Sequence, residues 1–235
     1  MSRVATFSSS SIHNLLSKGR GNFSIENIGK PFTTYVEEKV MEKNLERSLS
    51  SENSARPTAW GTLVEEHAFS KMGLEYSLVS KERFYKGDYW SGMPDLITPE
   101  IVGDIKCPWT LKGFCKLVKS MNEGVESFKD NHPEYYWQLV SNSILCKRDK
   151  AMIVCYVPYK EDLEDIRQLA EDHMGDLNNR FSFIQWADDE ELPYLIEGNK
   201  YNDINVMEFD VPESDKNILT MRVAMAVKEF KKQTS

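Results

Sequence analysis

Residues Ser91 to Trp109, reading SGMPDLITPEIVGDIKCPW, constrain the fold more than any other stretch of the chain. Two short apolar runs, Asp95-Leu96-Ile97 and Ile101-Val102, flank Thr98-Pro99-Glu100, so the segment reads as a β-hairpin with the proline in its turn. Asp95 opens the first strand. Asp104 and Lys106 lie two apart on the second, and the period of a strand sends both side chains to one face. Charges therefore stand where a strand ordinarily buries valine or isoleucine. Burying them unpaired is costly, so the hairpin requires a metal ion, a ligand or a tight ion pair around these groups.

Phosphodiester hydrolysis suits such a cluster. Two carboxylates offer hard oxygen ligands for Mg²⁺ or Mn²⁺, which polarises a phosphoryl oxygen and acidifies water. A neighbouring lysine orients that water and neutralises charge developing on the phosphorus.

Pro94-Asp95 followed by Asp104-Ile105-Lys106 resembles the PD-(D/E)XK nuclease motif, and the continuation Lys106-Cys107-Pro108 is similar to the phage lambda-type (YqaJ-like) alkaline exonucleases. Other stretches match in the family order. Gly61 to Glu65, within Trp60–Phe69, matches a helical Gly-x-x-x-Glu whose glutamate lines the metal site in the family, with Glu66 as second choice. Gln138, on a helix ahead of Lys147-Arg148 and an apolar strand, matches a glutamine that reaches the catalytic centre. Arg3 and Ser10, ahead of Ile12-His13-Asn14, match the pair that holds the 5′-phosphate of a DNA end. The serine run leaves the choice among Ser9, Ser10 and Ser11 open.

The resemblance runs from Arg3 to Pro158 and implies an α/β restriction-endonuclease-like fold, with a central mixed β-sheet flanked by helices. It implies a Mg²⁺- or Mn²⁺-dependent 5′-to-3′ exonuclease that degrades one strand from double-stranded DNA ends and leaves a 3′ single strand for a recombination annealing protein. In that scheme Glu65, Asp95, Asp104 and the Ile105 carbonyl hold metal, Lys106 and Gln138 position water, and Arg3 and Ser10 grip the terminal phosphate. It further implies a ring of three subunits and a phage or prophage origin, acting in the cytoplasm of a bacterial host. A structure-selective or restriction-type endonuclease shares the same motif. A non-catalytic DNA-binding module is the reading from a different class, and the retained Asp, Asp and Lys disfavour it. An iron–sulfur nuclease is disfavoured, since no cysteine precedes Cys107 to supply the upstream ligand it would need.

Length favours one nuclease domain over 1–235. Without a long apolar run or a signal-peptide core, the chain reads as soluble and intracellular, with no membrane contact. Cys107, Cys115, Cys146 and Cys155 lack paired metal spacing and read as reduced thiols. The net charge of −8 argues against a general polyanion binder, so any basic lining must be local. Lys112, Lys116 and Lys119, and the later cluster Lys147, Arg148 and Lys150, are the candidates for it; a solvated face is the plainer account of each.

Elsewhere, Ser8 to Ser11 reads as the cap of a helix beginning at Ile12. Thr34 to Arg47 reads as a helix packing through Val36, Val40, Met41 and Leu45, and Leu74 to Phe84 as a strand. Helices are expected over Thr110–Val118, Glu134–Cys146, 161–177 and Glu213–Phe230, and strands over Ala151–Pro158 and Asn205–Asp210. His67 is expected in packing or a hydrogen bond, because hard cations prefer oxygen. The acidic stretch Ser182 to Lys200, with Trp186, suits a protein contact better than DNA.

Overall fold

The computed structural model describes residues 5–22, 24–49, 56–73, 84–173 and 180–234. In chain order the strands are β1 (Phe7–Ser8), β2 (Tyr85–Lys86), β3 (Trp90–Gly92), β4 (Leu96–Ile97), β5 (Ile101–Lys106), β6 (Lys150–Tyr156) and β7 (Ile204–Asp210). The α-helices are α1 (Lys30–Leu45), α2 (Arg56–Lys71), α3 (Leu111–Glu123), α4 (Val125–Asn131), α5 (Pro133–Cys146), α6 (Leu163–Asp172), α7 (Ser182–Trp186) and α8 (Glu213–Thr234).

The expected hairpin is the pair β4–β5, antiparallel with Leu96 opposite Gly103 and Ile97 opposite Val102. Gly103 lacks a side chain because Leu96 packs across it; an added Cβ would sit 3.2 Å from Leu96 Cβ. From this hairpin a mixed four-stranded sheet grows in the order β4-β5-β6-β7, with β5 parallel to β6 and β7 antiparallel to β6. A parallel pair needs a crossover, and α3, α4 and α5 supply it.

Strand periodicity sorts the side chains of β5 and β6 into two cores. Val102, Ala151, Ile153 and Cys155 pack with Phe114, Leu117, Leu139 and Val140 on one face. Ile105, Val154 and Tyr156 pack with Trp60, Leu63, Val64 and Ile166 on the other. Being covered on both sides is why β6 reads as a continuous apolar run. Asp104 and Lys106 belong to the face of Val102.

A second sheet, β1-β3-β2, was not among the expectations. Its strands are two or three residues long, and β1 reaches β3 across some eighty residues of chain, pairing Phe7 with Trp90. The Ser8–Ser11 run differs from expectation too. It starts a 3-10 helix, Ser9–Leu16, and the Ser8 side chain makes no capping bond. The Ser8 N–H instead donates to the Tyr35 hydroxyl at 2.9 Å, because β1 pairing and α1 packing fix that residue first.

α1 begins earlier than expected, with Pro31 in its first turn, where a missing N–H costs nothing. Met41 and Leu45 do not join its packing face and are 52% and 57% exposed. Phe32, Tyr35, Val36 and a buried glutamate, Glu42, form that face instead. α2, α5, α8, β6 and β7 lie within a few residues of expectation, α3 runs on to Glu123, α4 and α7 were not expected, and 174–177, expected in the helix that includes α6, lies outside the described residues. The stretch 74–83, expected as a strand, lies outside the described residues. All four cysteines are unpaired, and burial pushes the Cys146 thiol up to about 11. Among the described residues no helix is long and apolar enough to cross a membrane.

Candidate active site

The hairpin turns Asp95 toward the second strand just ahead of β4. Its Oδ2 accepts a hydrogen bond of 2.7 Å from the Ile105 N–H. The N–H and C=O of one strand residue point to the same side, so the Ile105 carbonyl also faces the open edge beside Asp95 rather than the β6 ladder. Two residues apart on β5, Asp104 and Lys106 make an ion pair of 2.5 Å between Oδ2 and Nζ. Asp104 is 1% exposed, whereas the Lys106 side chain is 21% exposed, so the pair runs from the core to the surface.

From α5, Gln138 closes the group. Its Nε2 donates to Asp104 Oδ1 at 2.7 Å and its Oε1 accepts from Lys106 Nζ at 3.4 Å. One amide thus holds the aspartate and the lysine in a fixed relation. One helical turn earlier, the Tyr135 ring lies under the ammonium, 5.1 Å from its centroid. Tyr135 was not foreseen as a site residue, although its spacing of three from Gln138 puts the two on one helical face.

Electrostatics bring in the helix on the other side of the sheet. Burial, and then the negative charges of Asp104 and Glu65, push the Asp95 carboxyl well above the usual carboxylate range; Lys106 and the Ile105 N–H pull the other way. Burial alone would lower the Lys106 pKa, but Asp104 and Asp95 outweigh it and hold the ammonium charged. Glu65 on α2 thus lies near enough for its charge to act on Asp95. Its neighbour Glu66 turns away to His173, with Oε2 3.2 Å from Nε2. Of the two glutamates left open by sequence, Glu65 is the one beside Asp95.

Three carboxylates around one ammonium leave excess negative charge in a confined place, and all the donors are hard oxygens. That set fits a divalent cation of the Mg²⁺ or Mn²⁺ kind. A second group, His67, Asp162 and Asp165, also brings its ligand atoms within 4.8 Å of one another. His67 and Asp162 already have protein partners. His67 Nδ1 bonds the Tyr156 hydroxyl at 2.7 Å, Asp162 Oδ1 pairs with Lys71 at 2.8 Å, and its Oδ2 accepts from the Tyr159 N–H at 3.1 Å.

At the N-terminal end, Arg3 lies outside the described residues. Ser9 is buried, with its Oγ 2.6 Å from Ser141 Oγ on α5 and 3.2 Å from the Ser91 carbonyl. It is thereby committed to joining three elements, while Ser10 is exposed and Ser11 half-buried. The basic cluster after α5 is in part structural: Arg148 donates to the Thr98 carbonyl at 2.8 Å and to the Cys146 carbonyl at 2.9 Å, clamping the hairpin turn to the helix end. Lys112, Lys116 and Lys119 remain on the exposed face of α3.

No protein-family model matches the chain, and no curated protein does. Solved structures do. LHK-Exo in complex with dAMP superposes with a TM-score of 0.63 at 14% identity, over 99% of this chain and 91% of that one. The alkaline exonuclease LHK-Exo from Laribacter hongkongensis gives 0.59 at 12% identity, over 97% and 91%. A phage-related exonuclease from Haemophilus somnus 129PT gives 0.64 at 15% identity, over 97% and 94%. With mixed strands flanked by helices and a likeness that spans nearly the whole of each partner, this chain has the α/β PD-(D/E)XK fold of the alkaline exonucleases.

Proposed function

We propose that the protein is a metal-dependent 5′-to-3′ exonuclease acting on double-stranded DNA ends. The observation that carries this reading is the joining of Asp95, Asp104, Lys106 and Gln138 into one bonded group at the edge of the β4–β5 hairpin, with Glu65 near enough for its charge to act on Asp95. Glu65, Asp95, Asp104 and the Ile105 carbonyl would hold Mg²⁺ or Mn²⁺. A cation bound there supplies Lewis acidity at the phosphoryl group and acidifies water.

The chain's own residues supply the rest. Lys106, kept charged by its two aspartates, hydrogen-bonds the attacking water and offsets negative charge on the phosphorus. Gln138, bonded to both Asp104 and the lysine, fixes the direction in which the ammonium points. Water oxygen bonds to phosphorus, the bond from phosphorus to the 3′ oxygen breaks, and the terminal nucleotide departs with a 3′ hydroxyl. The next residue is left with a 5′-phosphate, so an anchor made by Arg3 and Ser10 meets the same group after every cut. The resemblance adds a three-subunit ring around the DNA and delivery of the 3′ strand to an annealing protein.

The test compares linear with covalently closed circular duplex, each with Mg²⁺ and with chelator. Digestion confined to linear DNA with metal, and slowed when the 5′-phosphate is removed, is the expected result. Cutting of closed circles would make the enzyme an endonuclease, and no cutting of either would overturn the reading.

A further inference from the structure

We infer that the solvent face of α3, together with Tyr201, is a track for the phosphodiester backbone of the nucleic-acid substrate beyond the reacting phosphate. The inference rests on the nuclease reading above and extends it to the part of the substrate that is not cut.

Lys112, Lys116 and Lys119 recur at a spacing of four and three, so they share one face of α3. Phe114, Leu117, Val118 and Met121 bury the opposite face in the core. At 1.5 Å per residue the lysine row spans about 10 Å. Beside it runs an open cleft of about 490 Å³, lined otherwise by Cys115 and Asn122 of the same helix and by Tyr201 from outside it. In a chain of net charge −8, a cleft with three lysines and one acid is a local reversal of sign. That acid, Glu123, lies at the far end, 3.7 Å from Lys119, whose side chain is still 75% exposed.

The cleft starts at the site's end of the sheet. Lys112 follows Lys106 by six residues, a reach of at most about 20 Å. Tyr201 lies just ahead of β7, whose Asn205 is opposite Cys155, which is opposite Lys106. Two strand spacings, about 10 Å, therefore separate Asn205 from the lysine of the site, and Tyr201 lies four residues ahead of Asn205 at the same end of the sheet. The tyrosine ring is held edge-on against Phe114, with centroids 5.6 Å apart, and is 39% exposed. A phosphate-binding row beside an anchored, accessible aromatic ring is the pairing used on single strands, where an unpaired base can stack. The single strand is accordingly the favoured occupant, with duplex flank the other source of the same phosphates.

The experiment measures equilibrium binding of fluorescent single-stranded and duplex DNA in chelator across a salt series. For a Lys112→Gln, Lys116→Gln, Lys119→Gln triple variant the slope of log affinity against log salt should fall by about one per lysine. Tyr201→Ser should weaken single-strand binding about tenfold and leave duplex binding unchanged. Slope loss on duplex alone, with Tyr201→Ser silent, would assign the track to the incoming duplex. Unchanged slope and affinity on both DNAs, in variants melting at the wild-type temperature, would overturn the inference while leaving the nuclease reading standing. Should the triple variant fail to fold, single Lys112→Gln and Lys116→Gln variants read the same slope one unit at a time. Wild-type protein that neither binds nor cuts DNA would remove the nuclease reading itself.

Discussion

At the scale of single residues, the adjacent glutamates of α2 separate two roles. Glu65 raises the pKa of Asp95 by its charge, whereas Glu66 pairs with His173. Glu65→Gln should cut the rate by about 10²-fold or more, the size of effect expected when a group acting on transition-state charge is lost; Glu66→Gln should stay within about twofold of wild type. Equal losses in steady-state rates of the two variants would contradict the assignment. Lys106→Ala should abolish cleavage to a similar or greater degree and still bind Mg²⁺ in calorimetry, since the carboxylates remain. The hairpin cluster was legible in sequence because all three charged groups lie within twelve residues and strand period alone fixes their faces. Tyr135 was not, because an aromatic at helical spacing reads as packing until the lysine is found over its ring.

Among the elements, α1 depends on a carboxylate where a leucine would be expected. Glu42 is 3% exposed and accepts from the Ala5 N–H at 3.0 Å, the Leu49 N–H at 3.2 Å and Lys39 at 2.9 Å. Burial pushes its pKa up, but the Lys39 hydrogen bond and the two backbone N–H groups outweigh that and leave it below the usual value. A folded pKa below the unfolded one gives stability that is complete above about pH 4.5 and drains away as pH falls through the folded value. Glu42→Gln should destabilise by about 1–2 kcal/mol at neutral pH and flatten the fall in melting temperature below about pH 4.5. A variant that melts like wild type at pH 7 would show these bonds to be idle. Thr110, which caps α3 by accepting from the Gly113 N–H at 3.1 Å, follows the ordinary rule, and Thr110→Ala should cost about 1 kcal/mol in denaturant melts. Sequence periodicity located α2, α3, α5 and α8 because each carries an apolar face. It missed the β1-β3-β2 sheet, whose short strands have no room for alternation and whose pairing is settled by distant partners.

For the whole molecule, the sheet divides the interior and the site draws from both halves. Asp104 and Lys106 project with the core of α3 and α5, while Glu65 comes from the helix over the opposite core. A cation bound between them ties the two halves in the native state only, so Mg²⁺ should raise the melting temperature. At a hundred times its dissociation constant the gain is about 2.7 kcal/mol. Asp95→Asn with Asp104→Asn should melt at one temperature with or without Mg²⁺, and a retained shift would place the cation elsewhere, with His67, Asp162 and Asp165 the next group to remove.

The contact between Ser9 and Ser141 carries a last implication. It rivets the segment that carries Ser10 to the helix that carries Gln138, so the two cannot slide past one another. Under the proposed function, the fixed spacing of the two segments acts as a ruler. Its fragments should be of uniform length, and a variant with the rivet removed, Ser141→Ala, should release a ragged mixture.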